Sequence, residues 1–257
     1  MGILDRFSLV GKAALVTGGG KGLGQGMALA LAEAGADITI AELDMPAAEE
    51  TAMQIRARGR RAMAIKADVT LPEDVEVMLG SVIQEWGHLD VLVNNAGYAQ
   101  PVAALDMAVE DWDRLLALDL RAVFNCCKAA APHMIRRGGG KIINIASMSA
   151  FHVNRDADYA HYNAAKAGVV MLTKSLAVEW ARHGIYVNSI SPGYFRTPGN
   201  AARSDTPAIR AIRVDQGVIK RYGQAYEDLG GAVVYLASDA SNFTTGCNLV
   251  VDGGYSL

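Results

Sequence analysis

Apolar positions along this chain gather into short continuous runs separated by longer amphipathic stretches. Lys12 to Thr17 (KAALVT) is such a run and stops at glycines. The same pattern returns at Ala36 to Ala41 (ADITIA), Ala62 to Ala67, Leu89 to Val93, Lys141 to Ala146 (KIINIA), Ile185 to Ile190 (IYVNSI) and Leu249 to Val251. Runs this short and this apolar are expected to be buried strands. Between them, apolar residues recur at helical spacing over Gln25 to Ala34, Ala47 to Arg58, Pro72 to Trp86, Ala108 to roughly Arg136, Ala160 to Ala181 and Ala225 to Ser238. Pro72 suits a first helical turn, and Pro132 is expected to end or kink the Ala108 helix late. Residues 193–224 hold the expected substrate-loop region. Its part from 198 is polar and irregular, with a short helical piece near Pro207 to Arg213. Strand and helix alternate throughout, which predicts an α/β fold: one doubly wound parallel sheet of about seven strands with helices on both faces. No linker and no fixed-period repeat interrupts the pattern, so residues 1–257 are expected to form a single domain.

Composition narrows this little. The chain has 257 residues, 51% hydrophobic and 20% charged, with a net charge of −3. It can build a large core, and with no basic block nucleic acid is not an expected partner. Cys126, Cys127 and Cys247 are odd in number and form no CxxC, so reduced, packed thiols in a cytoplasmic protein are expected. The opening MGILDRFSLVGK lacks the long apolar core of a signal peptide, and no run reaches membrane-spanning length. The histidines show no metal spacing, and no metal site is expected.

Candidate chemistry sits where the strands end. Thr17-Gly18-Gly19-Gly20-Lys21-Gly22-Leu23-Gly24 follows the first strand and opens a helix. Strand, glycine turn and helix together point backbone N–H groups at a phosphate, the arrangement of a dinucleotide site. Glu42 closes the second strand, where a carboxylate can accept hydrogen bonds from ribose hydroxyls and repel a 2′-phosphate. That favours NAD over NADP, although Lys21 in the glycine turn is a cation that can welcome such a phosphate. Asp68, Asn95, Ser147 and Gly193 also follow strand ends, the edge at which ligands bind in open α/β sheets. Tyr162 and Lys166, in the stretch YNAAK, stand one helical turn apart on one face. An ammonium beside a phenol draws its pKa down from about 10, and a phenol so tuned can exchange a proton with a carbonyl or alcohol.

With TGGGKGLG, Asp68, NNAG (Asn94 to Gly97), Ser147, YNAAK and PGYFRT (Pro192 to Thr197) in this order, the chain resembles a classical short-chain dehydrogenase/reductase over nearly its whole length. The resemblance implies a Rossmann-type fold, NAD(P) chemistry, and Ser147, Tyr162 and Lys166 as the catalytic set. In that implied set Ser147 bonds the substrate oxygen, Tyr162 exchanges the proton, and Lys166 holds the nicotinamide ribose and lowers the tyrosine pKa. It further implies cofactor contacts from Gly18, Gly20, Lys21, Gly22, Leu23 and Glu42 at one end. Asp68 and Val69 would face the adenine, Asn95 would lie along the cofactor, and Gly193, Phe195 and Thr197 would follow near the carboxamide. A homotetramer is also implied. One position departs: Asp119, in LALDLRAVF, stands where the family usually carries an active-site asparagine, which can donate through its amide as a carboxylate cannot.

The stretches Ala146 to Ser149, Val153 to Arg155 and Val187 to Tyr194 are similar to family members that interconvert polyols and ketoses. Ser149, His152, Asn154 and Tyr194 are expected to line the substrate pocket, with Tyr98 and Gln100 nearby. So many donors and acceptors suit a substrate with several hydroxyls, since each buried hydroxyl left unpaired costs about 1–3 kcal/mol. The expected reaction is hydride transfer between NAD and a secondary alcohol or ketone, a sugar alcohol and its ketose. A 3-oxoacyl-thioester reductase of the same family and a non-catalytic dinucleotide sensor are the alternatives. Glu42 argues against the first and the intact Ser147, Tyr162 and Lys166 set against the second.

Overall fold

A computed structural model describes residues 2–200 and 206–257. Its seven strands are β1 (Ala13–Thr17), β2 (Asp37–Glu42), β3 (Ala62–Lys66), β4 (Val91–Asn94), β5 (Gly140–Ile145), β6 (Ile185–Pro192) and β7 (Asn248–Val251). They form one sheet in the order β3-β2-β1-β4-β5-β6-β7, parallel at every pairing. The strands of the sheet centre are buried on both faces, which is why β1 and β4 read as unbroken apolar runs and not as alternating ones.

Helices α1 (Gly22–Glu33), α2 (Met45–Ala57) and α8 (Ala225–Ala237) cover one face. On the other lie α3 (Pro72–Trp86), α5 (Ala122–Arg137) and α6 (Ala160–Trp180). Helix α4 (Val109–Leu116) precedes α5, and α7 (Pro207–Arg213) stands in the loop before α8. Chain order leaves β1 toward β2 on one side and resumes at β4 on the other. The crossovers thus part beside the C-terminal end of β1, opening a crevice between the loops that follow β1 and β4.

The long amphipathic run does not end at Pro132, which lies inside α5. The break comes earlier, where a π-helical turn at Ala117–Arg121 separates α4 from α5. Such a turn admits one extra residue and redirects a side chain, and turns of this kind collect at functional sites. Here the redirected residue is Asp119, which is fully buried. Cys126 and Cys127 pack in the core as expected, and burial pushes the Cys126 thiol up to about 12. Cys247 departs from the expectation of packed thiols, for it lies exposed. The short helix at Pro207–Arg213 is present, and residues 201–205 of the substrate loop lie outside the described residues. Among the described residues no helix is long and apolar enough to cross a membrane.

Candidate active site

A cleft of about 750 Å³ runs along the C-terminal edge of the sheet. Its first arm is built on the glycine turn. Thr17 Oγ1 accepts from the N–H groups of Asn95 (3.0 Å) and Ala96 (3.1 Å), which ties the end of β1 to that of β4. Asn95 Nδ2 donates to the carbonyls of Thr17 and Gly18, both at 3.0 Å. A side chain at Gly24 would collide with the Gly18 carbonyl, so only glycine lets the turn close over the start of α1. The first turn of α1 has no side-chain cap, and Gly22 and Leu23 line the cleft there. Uncapped N–H groups at a helix start are the donors a pyrophosphate requires.

Glu42 also lines this arm. Its carboxylate is held in place by the N–H groups of Leu43 (2.9 Å) and Gly20 (3.3 Å). Lys21 is not aimed at the cleft alone: its Nζ bonds Asp44 Oδ2 at 2.5 Å, and this bond holds the ammonium's pKa above its ordinary value. Asp68 accepts from Thr70 at its backbone N–H (2.9 Å) and hydroxyl (2.7 Å), and Val69 is buried beside it against the cleft. These features fit a dinucleotide: phosphate donors at the helix start, a carboxylate at the next strand's end, and an apolar flank from Ala41, Ala67 and Val69.

The second arm gathers Ser147, Tyr162 and Lys166. Ser147 follows β5, and its Oγ accepts from the Ser149 N–H at 3.1 Å, capping a 3-10 turn at Met148–Ala150. Tyr162 and Lys166 share a face of α6, and the Lys166 Nζ stands 5.6 Å from the Tyr162 ring centroid. Nζ donates to the Ile145 carbonyl at 3.1 Å and lies 2.9 Å from Asp119 Oδ1. The second oxygen of Asp119 accepts from the Tyr98 N–H at 3.1 Å. A Cβ on residue 97 would stand 2.6 Å from Asp119 Oδ1, so Gly97 leaves the room that the Asp119–Lys166 pair occupies.

The spacing of Tyr162 and Lys166 predicts a lowered phenol pKa, and the structure reverses the sign. Burial raises it, Lys166 lowers it, and Asp119 raises it again, leaving the Tyr162 phenol above its ordinary value in the protein alone. Burial opposes the Lys166 charge, but Asp119 and then Tyr162 outweigh it and hold the ammonium's pKa high.

The wall beyond Ser147, Tyr162 and Lys166 is a chain of polar contacts. Ser149 Oγ donates to Asn154 Oδ1 (2.7 Å), and Asn154 Nδ2 donates to the Tyr194 hydroxyl (3.1 Å). That hydroxyl donates to Asp156 Oδ1 at 2.8 Å. Arg213 of α7 closes the chain on Asp156 Oδ2, through Nε at 2.9 Å and Nη2 at 2.6 Å, with its guanidinium 4.8 Å from the Tyr194 ring centroid. Ser149, Asn154, Tyr194 and Arg213 all border the cleft, as do Gly193, Phe195 and Thr197.

Three expected residues stand elsewhere. His152 does not border the cleft; its ring packs edge-on to Tyr255 at 5.5 Å, and Tyr255 packs on Tyr194. Gly20 lies behind the turn, where its N–H braces Glu42. Gln100 is exposed, away from the lining. Asp156 and Arg213 are not among the site residues expected from the sequence. A lone aspartate and a lone arginine 57 positions apart carry no local signal of a buried pair.

This geometry places the chain among known proteins. Residues 18–256 match the family model described as Enoyl-(Acyl carrier protein) reductase. A short-chain type dehydrogenase/reductase from Mycobacterium marinum superposes with a TM-score of 0.95 at 42% identity, over 99% of each chain. The chain belongs to the short-chain dehydrogenase/reductase family. It is therefore a dinucleotide-dependent oxidoreductase acting on CH–OH groups. Among relatives of this short-chain dehydrogenase, the 2-dehydro-3-deoxy-D-gluconate 5-dehydrogenase of Escherichia coli (strain K12) is 42% identical over 254 residues, 98% of each chain. A gluconate 5-dehydrogenase from Burkholderia cenocepacia J2315, solved in complex with NADP and tartrate, shares 40% identity at a TM-score of 0.93, covering 99% of this chain and 98% of that one.

Proposed function

We propose that the protein oxidises a secondary hydroxyl of a small polyhydroxylated substrate, a sugar alcohol or a related sugar acid, and reduces the matching ketone, with NAD as the preferred cofactor. The observation that carries the reading is the convergence of Ser147, Tyr162 and Lys166 at one end of a cleft whose other end is the glycine turn. The nicotinamide, once bound, supplies the hydride acceptor or donor. The protein's own part is orientation and the proton. In this reading the Ser147 hydroxyl bonds the reacting oxygen. Tyr162 takes the hydroxyl proton in oxidation and returns one to the carbonyl oxygen in reduction. The Lys166 ammonium, fixed by Ile145 and Asp119, is the cation nearest that exchange on α6.

The polar wall supports a substrate with several hydroxyls. Ser149, Asn154, Tyr194 and Arg213 border the cleft and are locked by one another, so a ligand meets donors and acceptors already in place. The sugar-acid relatives support the same substrate class. An acyl-thioester substrate would be better served by an apolar wall. For the cofactor, Glu42 and Asp44 place two carboxylates near Lys21, and Asp44 already engages its ammonium. That balance disfavours a 2′-phosphate. NADP is a second reading: Lys21 borders the cleft, and the Burkholderia cenocepacia neighbour was solved with NADP. Cytoplasmic location, supported by three cysteines without a CxxC, and a homotetramer, supported by family resemblance, belong to the same proposal.

The reading is tested in the reductive direction. Reduced NAD should be consumed with a ketose or keto sugar acid and not with a 3-oxoacyl thioester. The reverse preference would move the protein to acyl reduction.

A further inference from the structure

Asp119 departs from the family's asparagine, and its place in the structure is specific. It is fully buried, it lies on the π-helical turn that breaks α4 from α5, and it is opposite a catalytic-set lysine. We propose that Asp119 is a positioning residue that locks the Lys166 ammonium into a buried ion pair and thereby sets the pH above which the site oxidises an alcohol. The inference rests on Tyr162 being the proton-exchanging group.

The geometry leaves Lys166 little freedom. Its Nζ is gripped by the Ile145 carbonyl at 3.1 Å and by Asp119 Oδ1 at 2.9 Å, and its side chain is 5% exposed. Asp119 is anchored in turn by the Tyr98 N–H. Gly97 packs so closely that no other residue there would spare the pair. An isolated ammonium beside a half-buried phenol favours the phenolate; an ammonium already paired with a carboxylate favours it less. Asp119 therefore offsets part of the help that the YNAAK spacing supplies; burial is the larger cause of the raised Tyr162 phenol, and Asp119 adds to it.

Few other charges face the pair among the described residues. Tyr159, at the start of α6, lies 5.9 Å ring to ring from Tyr162. His161, the next residue on α6 before Tyr162, is buried, and burial lowers its pKa against the pull of Asp119 and Asp111. Its imidazole is thus uncharged through the alkaline range in which the phenol titrates. The turn after β5 presents the Ser147 hydroxyl, and the loop after β4 presents a backbone N–H. Arg213, across the cleft, is engaged by Asp156.

The sign follows directly. Oxidation needs the phenolate, so a phenol that keeps its proton longer moves the rising limb of oxidation to higher pH. Reduction needs the phenol, so the same change preserves reduction through neutral pH.

Asp119→Asn tests this, because it keeps size and shape and removes the charge. The rising limb of kcat/KM for alcohol oxidation should move to lower pH by about one unit or more. An ultraviolet phenolate titration of the protein without cofactor should show one tyrosine moving the same way. That tyrosine should vanish in the Asp119→Asn, Tyr162→Phe double variant. A folded Asp119→Asn protein whose limb and phenolate titration both stay put overturns the proposal, even if its rate falls at every pH. Should Asp119→Asn fail to fold, the phenolate titration of the wild type without cofactor decides: the tyrosine that disappears in Tyr162→Phe should titrate above the ordinary value of about 10, and one that titrates below it contradicts the proposal. A Tyr162→Phe protein that keeps near-normal turnover overturns the reading beneath the proposal as well, and is told apart because it needs no change at Asp119.

Discussion

Replacing Tyr162 by phenylalanine removes one hydroxyl and keeps the ring packed against Tyr159. Because the phenol carries the proton in the proposed reaction, the Tyr162→Phe variant should lose roughly 10²-fold or more in kcat with its fold intact, as general acid–base groups typically do. Circular dichroism together with turnover checks this, and a folded variant with near-normal turnover contradicts it. At this scale the sequence was informative about which residues meet and silent about their electrostatics. Helical spacing put Tyr162 and Lys166 on one face. It said nothing of how deeply the phenol is surrounded, nor that a carboxylate far along the chain would claim the ammonium. The direction of the Tyr162 shift is therefore reversed, since both the burial and the Asp119 carboxylate come from residues distant in the sequence. His152 misled for a related reason. Its loop is beside the cleft, but an aromatic partner, Tyr255 near the C-terminus, turns its ring away.

Among elements, the strands were legible because both sheet faces are buried, so each central strand is a short apolar run with polar residues or glycine at its ends. Helix ends were less so, and the break inside the long Ala108 stretch was misplaced. Pro132 is a helix breaker by residue type, yet α5 passes through it, and the real interruption at Ala117–Arg121 contains no proline or glycine. A π turn has no local sequence signature of that kind; here it coincides with the packing of Asp119 against Lys166 and Gly97. Tight helix packing offers a test at this scale. A Cβ on residue 26 of α1 would stand 2.7 Å from backbone and side-chain atoms of Ala225 at the start of α8. Backbone cannot yield as a flexible side chain does, so Gly26→Ala should cost about 1–3 kcal/mol. A thermal melt should show Tm lower by several degrees; an unchanged Tm would mean that α1 and α8 sit less tightly than described.

For the whole molecule, the topology was readable from strand–helix alternation. The cleft was readable from the coincidence of chemically distinctive residues with strand ends. What escaped was the polar wall's second half, since Asp156 and Arg213 meet only through the fold. Cofactor choice also belongs at this scale, because it balances Glu42, Asp44 and Lys21 from two different loops. The kcat/KM for NAD should exceed that for NADP, and Glu42→Gln should narrow the gap by weakening repulsion of the 2′-phosphate. A clear wild-type preference for NADP would show that Lys21 leaves Asp44 for the phosphate.

The central claim is that one cleft joins the proton-exchanging tyrosine to a wall made for hydroxyl-rich ligands. It is tested most directly by steady-state oxidation with NAD across a panel of small sugar alcohols, sugar acids and apolar secondary alcohols, followed by the absorbance of reduced nicotinamide. The account predicts that kcat/KM is highest for a polyhydroxylated member, and that Tyr162→Phe abolishes that activity. Turnover confined to apolar alcohols, with none on any sugar alcohol or sugar acid, would contradict it.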